Sequence, residues 1–202
     1  MRRLPLYTER VLGELQSTRG YVVTEFERQF RENSAVSCTP GCANCCHYPL
    51  LISVGEAIIL YRSLAQRARL TGVLRKKLQE HADLTSFLDP AVWMRANIPC
   101  PLLDEQNKCL GYEGRPTACR LLISSEDPEN CHPHTFNPAG MAATKEVFKA
   151  VVAFETQLLH RHAISSVRMS IGRALLIADQ VLTGTISPNE IERILYQEYT
   201  GR

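Results

Sequence analysis

The chain has 202 residues, 45% of them hydrophobic and 22% charged, with a formal net charge of +2. That is enough to bury a core in one domain spanning 1–202, without disulfide staples. The mixed charge contains no polybasic run, which argues against nucleic acid or an anionic membrane surface as a partner, and nothing in it identifies a protein partner.

Arg2 and Arg3 open the chain, but Pro5 and Glu9 follow before any apolar stretch of signal-peptide length. No run approaches the roughly 20 apolar residues of a membrane helix. The best candidates, 50–60 and 147–159, are interrupted by Glu56 and by Lys149 and Glu155. The expected compartment is the cytoplasm, where thiols stay reduced.

The first element, about 8–31, spaces Leu12, Leu15, Val22, Phe26 and Phe30 by three, four or seven, which predicts one amphipathic helix. Pro40 and Gly41 then forbid regular helix through Cys38–Cys46. Ser53 and Glu56 form a capping-box pattern, in which the serine oxygen and the glutamate side chain each take a backbone donor. The helix they start should reach about Arg69. A third helix, Val73 to Phe87, places Leu74, Leu78, His81 and Leu84 at helical spacing, with His81 partly buried, and Asp89-Pro90 ends it. Prolines at 99, 101, 116, 128, 133 and 138 leave no room for a long element between Pro99 and Pro138. In the C-terminal segment, 141–202, Val147 to Leu159 and Val167 to Val181 carry helical spacing, and Ser187-Pro188-Asn189-Glu190 starts a last helix. The fold class expected is mainly α, with helices packed around two irregular cysteine-rich segments within 38–131. Those segments carry four cysteines each, at different spacings, so they are not a duplication.

In a reducing compartment, eight clustered cysteines point to thiolate ligands or redox chemistry, not to four disulfides. The first segment reads Cys38-x3-Cys42-x2-Cys45-Cys46. The two residues between Cys42 and Cys45 let both sulfurs turn onto one metal while backbone amides point at them. Cys46 differs, because adjacent side chains tend to diverge, so it serves a second metal, stays free or acts as a redox thiol. The second segment holds Cys100, Cys109, Cys119 and Cys131, with eight and then nine residues between the first three. A short hairpin or turn over those intervals would return the sulfurs to one point. Lys108, Arg115 and Arg120 lie near enough in sequence to offset thiolate charge, and Arg120, directly after Cys119, is the expected neighbour of the centre. His47, His132 and His134 are expected to be loop residues facing solvent, although each could replace a sulfur.

This pattern, continued by Cys100-Pro101-Leu102-Leu103-Asp104, by Cys109 before Gly111-Tyr112-Glu113 and by Arg115-Pro116-x2-Cys119-Arg120, resembles the YkgJ-type cysteine-cluster family of zinc- or iron-chelating proteins. The resemblance spans about Cys38 to Leu122. It implies Cys38, Cys42, Cys45, Cys46, Cys100, Cys109 and Cys119 as ligands; Cys131 lies beyond the matched part and joins them by number and proximity alone. The family also includes flagellin lysine N-methylases with an iron-sulfur centre, although this chain is short for one.

Four thiolates suit a tetrahedral zinc and a four-iron cluster alike, so the cofactor expected is an iron-sulfur cluster or zinc, in one centre or two. The functions that follow are a metal-dependent enzyme, a non-catalytic zinc-stabilised interaction module, a thiol redox sensor, or a protein lysine N-methyltransferase. The spacing from Cys38 to Cys45 also matches the radical S-adenosylmethionine motif. Asn44 stands where that motif has an aromatic residue, and the chain lacks the strand-helix series of its barrel. No Ser/His/Asp arrangement, phosphate-binding glycine loop or His-Glu-x2-His pattern supplies a catalytic site without metal.

Overall fold

The computed structural model of the chain describes residues 6–33, 35–39, 41–125, 127–132, 145–162, 164–187 and 190–200. Pro40, Pro133, His134, Pro138, Pro188 and Asn189 lie outside the described residues, as do the side chains of Val147 and Phe148. The architecture is mainly α, with eight α-helices and one two-stranded sheet among the described residues.

Helix α1 spans Leu6–Asn33 and buries Val11, Leu12, Leu15 and Val23. Val22, expected on the apolar face, is 37% exposed. Val22 shares its sector of the helix with Val11 and Leu15, but the cluster with Ile59, Leu158 and Leu159 that buries those two does not extend to it. Glu9 on this helix pairs with Arg62 at 2.8 Å and ties it to the next one.

Strand β1 (Leu51–Ser53) runs straight into α2 (Val54–Gln66), and β2 (Arg168–Ser170) runs straight into α7 (Ile171–Thr183). The strands pair antiparallel, with Leu51 opposite Ser170 and Ser53 opposite Arg168. A two-stranded ribbon is marginal alone; here it is carried by the helices that leave it. Three residues are too few to give an alternating pattern, and neither strand is visible in the sequence.

Ser53 caps α2 as expected, its hydroxyl accepting from the Glu56 N–H at 3.1 Å. The Glu56 side chain lies in the interior. It is fully buried, and it meets Arg168 at 2.7 Å and the Thr117 N–H at 2.7 Å. Arg168 also holds Glu155 at 2.9 Å, and Ser53 donates to Glu155. A buried carboxylate needs a cation and hydrogen bonds, and Arg168 and the Thr117 N–H supply them.

Helices α2 and α7 form the centre of the core. Leu60, Leu64, Ala174, Leu175, Ile177 and Ala178 are all inaccessible to solvent. Helix α3 (Gly72–Thr85), capped by Thr71, lies so close to α7 that a Cβ on Gly172 would sit 2.7 Å from the Leu78 carbonyl oxygen. Leu84 of α3, read as apolar-face, is 62% exposed. Asp89-Pro90 ends α3 but also opens α4 (Pro90–Ala96), because Asp89 accepts from the Ala91 N–H and proline fits the first turn. Helix α4 brings Trp93 edge-on to His81, with ring centroids 5.4 Å apart. His81 is fully inside and not partly so. A second cluster joins Val11 and Leu15 of α1 with Ile59 of α2 and Leu158 and Leu159 of α6 (Lys145–Arg161). Helix α8 (Ile191–Thr200) closes the C-terminal side through Ile191, and Glu190 accepts from the Ser187 N–H at its start.

Candidate metal centre

The first cysteine segment leaves α1 and is tied at once to the second: the Ser37 N–H bonds the Ser124 carbonyl at 2.9 Å, and the Ser124 N–H points at Cys38 Sγ at 3.4 Å. Gly41, at φ 90°, turns the chain where a side chain would strain it. A single 3-10 turn, Asn44–His47, then presents Cys45 and Cys46. The Cys46 carbonyl accepts from the Cys100 N–H at 2.8 Å, and Asn44 Nδ2 donates to the Pro128 carbonyl at 2.7 Å. Three stretches far apart in sequence thus meet at this turn.

The hairpin expected between Cys100 and Cys109 is present. Leu103 bridges antiparallel to Cys109, the Leu110 N–H bonds the Leu102 carbonyl, and Asp104 accepts from the Gln106 and Lys108 N–H groups at 2.8 Å each. A 3-10 turn, Tyr112–Gly114, follows against α2. A Cβ on Gly114 would fall 2.8 Å from Ser63 Cβ and 3.1 Å from Leu60 Cα, so only glycine allows that approach. The one-turn helix α5 (Thr117–Leu121) carries Cys119, anchored where its first N–H reaches Glu56. Cys131 ends a 3-10 turn, Pro128–Cys131, whose cap is Asp127.

These segments surround a cavity of about 620 Å³ that all the cysteines except Cys131 line. Its wall is otherwise largely apolar, built from Leu50, Leu60, Leu102, Leu121, Ile123 and Ile171 among others, and no histidine is among the described residues lining it. His47 and His132 face each other instead, with ring centroids 5.7 Å apart and His47 Nδ1 at 3.2 Å from the Asn97 carbonyl. They are half-buried and do not point freely to solvent as expected. Among the described residues, no three cysteine, histidine or carboxylate side chains converge closely enough to grip a single ion, so the sulfurs ring a volume.

Burial pushes the Cys100, Cys109 and Cys119 thiols up, and at Cys100 and Cys119 the neighbouring thiols add to the effect. Cys45 is raised most by its hydrogen bond with Cys46, then by burial. It bears electrostatically on Cys42, Cys100, Cys119 and Cys131, which makes it the central thiol of the set. So many thiolates in an apolar wall repel one another and lack solvent; a bound cation reverses that balance and expels their protons. The donor set therefore fits a thiophilic metal or cluster.

The nearby cations divide differently from their order in the sequence. Arg115 stacks over the Tyr112 ring at 3.8 Å and favours the thiolates of Cys45, Cys109 and Cys119. Arg120, expected to be the neighbour of the centre, also lines the cavity, but its guanidinium is engaged by Glu27 at 3.0 Å and by Thr24 of α1. Lys108 reaches Gln106. Ser124 and the Glu56 anchor are parts of the site that no spacing pattern marks.

No helix among the described residues is long and apolar enough to cross a membrane. No curated protein and no solved structure matches the chain. Residues 37–148, more than half of the chain, match the CxxCxxCC family model, described as "Putative zinc- or iron-chelating domain", and the chain belongs to that family.

Proposed function

We propose that this metal-binding protein is an iron-sulfur protein whose cluster sits in the cysteine-lined cavity, held by thiolates from both segments. The observation that carries this reading is that thiols from two distant segments face one apolar cavity with no histidine in its described wall. A structural zinc site is a closed tetrahedron of four donors around one point, often mixing sulfur with imidazole. A polynuclear cluster instead occupies volume, takes thiolates alone in its commonest forms, and has its potential set by burial and nearby charge. Arg115 favours the same reading: stacked on Tyr112, it offers charge to a cluster more readily than an acid–base group to a substrate. Electron transfer or redox sensing is therefore the role favoured over catalysis.

Anaerobic purification tests it. The expected protein is brown, holds iron and acid-labile sulfide in equal amounts, and loses visible absorption on reduction. A colourless protein carrying zinc would replace this reading with a zinc-stabilised interaction module.

A further inference from the structure

We propose that Glu56 is a positioning residue of the metal site: aimed by Arg168, its carboxylate fixes the start of α5 and, through it, the place of Cys119. This rests on the metal-binding reading and adds how the helical scaffold sets one of the thiols in the cavity wall.

Helix α5 is a five-residue turn whose own ends supply little. Pro116, at its cap position, makes no side-chain hydrogen bond, and the Thr117 hydroxyl is buried without a partner. The cap comes from another helix. Glu56 of α2 accepts from the Thr117 N–H at 2.7 Å, and Cys119 follows in the same turn, in the cavity wall. On its other side α5 is tied to α1 by Arg120 on Glu27, a pair that water reaches. The Glu56 bond lies in the solvent-free interior, where a hydrogen bond is stronger and its loss costs more.

The charges show that Glu56 is not needed to balance Arg168. Glu155 already pairs with that guanidinium at 2.9 Å, and the Arg168 Nε and Nη2 groups donate to the Leu51 carbonyl. Glu56 brings a second buried carboxylate to the same single positive charge. Such a surplus costs stability relative to apolar packing, which separates its role from that of the surrounding core. What a carboxylate supplies here is an acceptor on each side: Oε1 takes the Thr117 N–H and Oε2 takes Arg168 Nη2. A glutamine has one acceptor oxygen and would turn its NH2 group against one of those donors. Glu155 is not so constrained, because beside Arg168 it meets the Ser53 hydroxyl, which can donate or accept.

Glu56→Gln and Glu155→Gln are therefore a matched pair. Each leaves Arg168 with one carboxylate, yet only the first disturbs the acceptor of the Thr117 N–H. Full-length protein purified without air is compared for metal content and for release of that metal to a competing chelator, with helical circular dichroism as the check on folding. Glu56→Gln should release metal about tenfold more readily than the wild type, and Glu155→Gln should stay within about twofold of it. Thr117→Pro removes the same N–H at a helical position where proline fits, and should match Glu56→Gln, with the double variant no worse than either. Equal release from the two glutamine variants, or wild-type release from Glu56→Gln or Thr117→Pro, overturns the positioning role and leaves metal binding in place. If Glu56→Gln loses its helical signal, Thr117→Pro against Glu155→Gln decides by the same criterion. A wild-type protein without metal overturns the metal-binding reading and this role with it.

Discussion

Helices α2 and α7 and the cysteine loops touch along one wall of the same cavity, yet opposite forces hold them. The helices bury Leu60, Leu64, Leu175 and Ile177 completely, and apolar burial dominates their packing. The loops offer mostly half-buried thiols, three isolated 3-10 turns, and single hydrogen bonds such as Cys100 to Cys46 and Ser37 to Ser124. Joints between the two regions include the close approaches at Gly111 and Gly114, the buried Glu56 carboxylate that reaches Thr117, and Lys77 on the Leu103 carbonyl. The scaffold is self-sufficient, while the loops have their order completed by what the thiols bind.

Metal removal should break this symmetry most. Amide hydrogen exchange across 38–46 and 100–131 is expected to accelerate by at least about a thousandfold, roughly 4 kcal/mol of local opening, because thiolate ligation supplies folding energy to such segments. The amides of α2 and α7 should keep their protection. Equal acceleration in both regions would show that the scaffold, too, depends on the metal.

The converse is a cut in the scaffold. Leu175→Ala removes a solvent-free side chain from α7 and should lower global stability by about 2–5 kcal/mol in urea unfolding. Metal content below the transition should stay at the wild-type value. A fall in metal content in step with stability would mean that the loops and the core unfold as one unit.

A third effect belongs to the scaffold alone and is read by pH. Burial against Trp93 lowers the His81 pKa from 6.5 to about 4, so the folded chain holds the imidazole neutral. A depressed histidine contributes stability that is complete above pH 6.5 and is lost as pH falls toward 4, where the unfolded chain binds the extra proton. The loss should reach about 2 kcal/mol by pH 5, before most carboxylates titrate. The unfolding midpoint of His81→Leu should lack this portion of the slope, and an identical slope in both proteins would place the titration elsewhere.

The two regions were also unequally legible. Ser53 as a cap and the apolar spacing of α2 are local signals, and the structure carries them unchanged. Where a local signal had two solutions, packing chose: Val23 over Val22 in α1, and Asp89-Pro90 as the start of α4 as well as the end of α3. In the loops the residue types were legible from spacing, and so was the turn that returns Cys109 to Cys100. Their partners were not, because Ser124 beside Cys38, Glu56 under Thr117 and Asn44 on Pro128 are contacts across more than sixty residues, which no short pattern records. Adjacency in sequence placed Arg120 at the cavity but did not show its partner. Arg120 follows Cys119 directly, but its helical position turns it to Glu27 of α1.

That assignment yields the smallest and most specific prediction. Four thiolates around a dicationic four-iron core, as around a zinc ion, leave two negative charges, so a cation at the site stabilises the loaded state even though it repels the bare metal. Arg115, stacked on Tyr112 and favouring the thiolates of Cys45, Cys109 and Cys119, is in that position. Its partly exposed setting limits the gain to about 1 kcal/mol. Arg115→Gln should therefore release metal to a competing chelator about threefold to tenfold more readily, with no change in the global unfolding midpoint. Arg120→Gln should show the reverse pattern: unaltered metal retention and a modest loss of stability, as α1 loses its link to α5. If both variants weakened metal retention equally, the charge that matters would be the summed field of the loop and not the Arg115 guanidinium in particular.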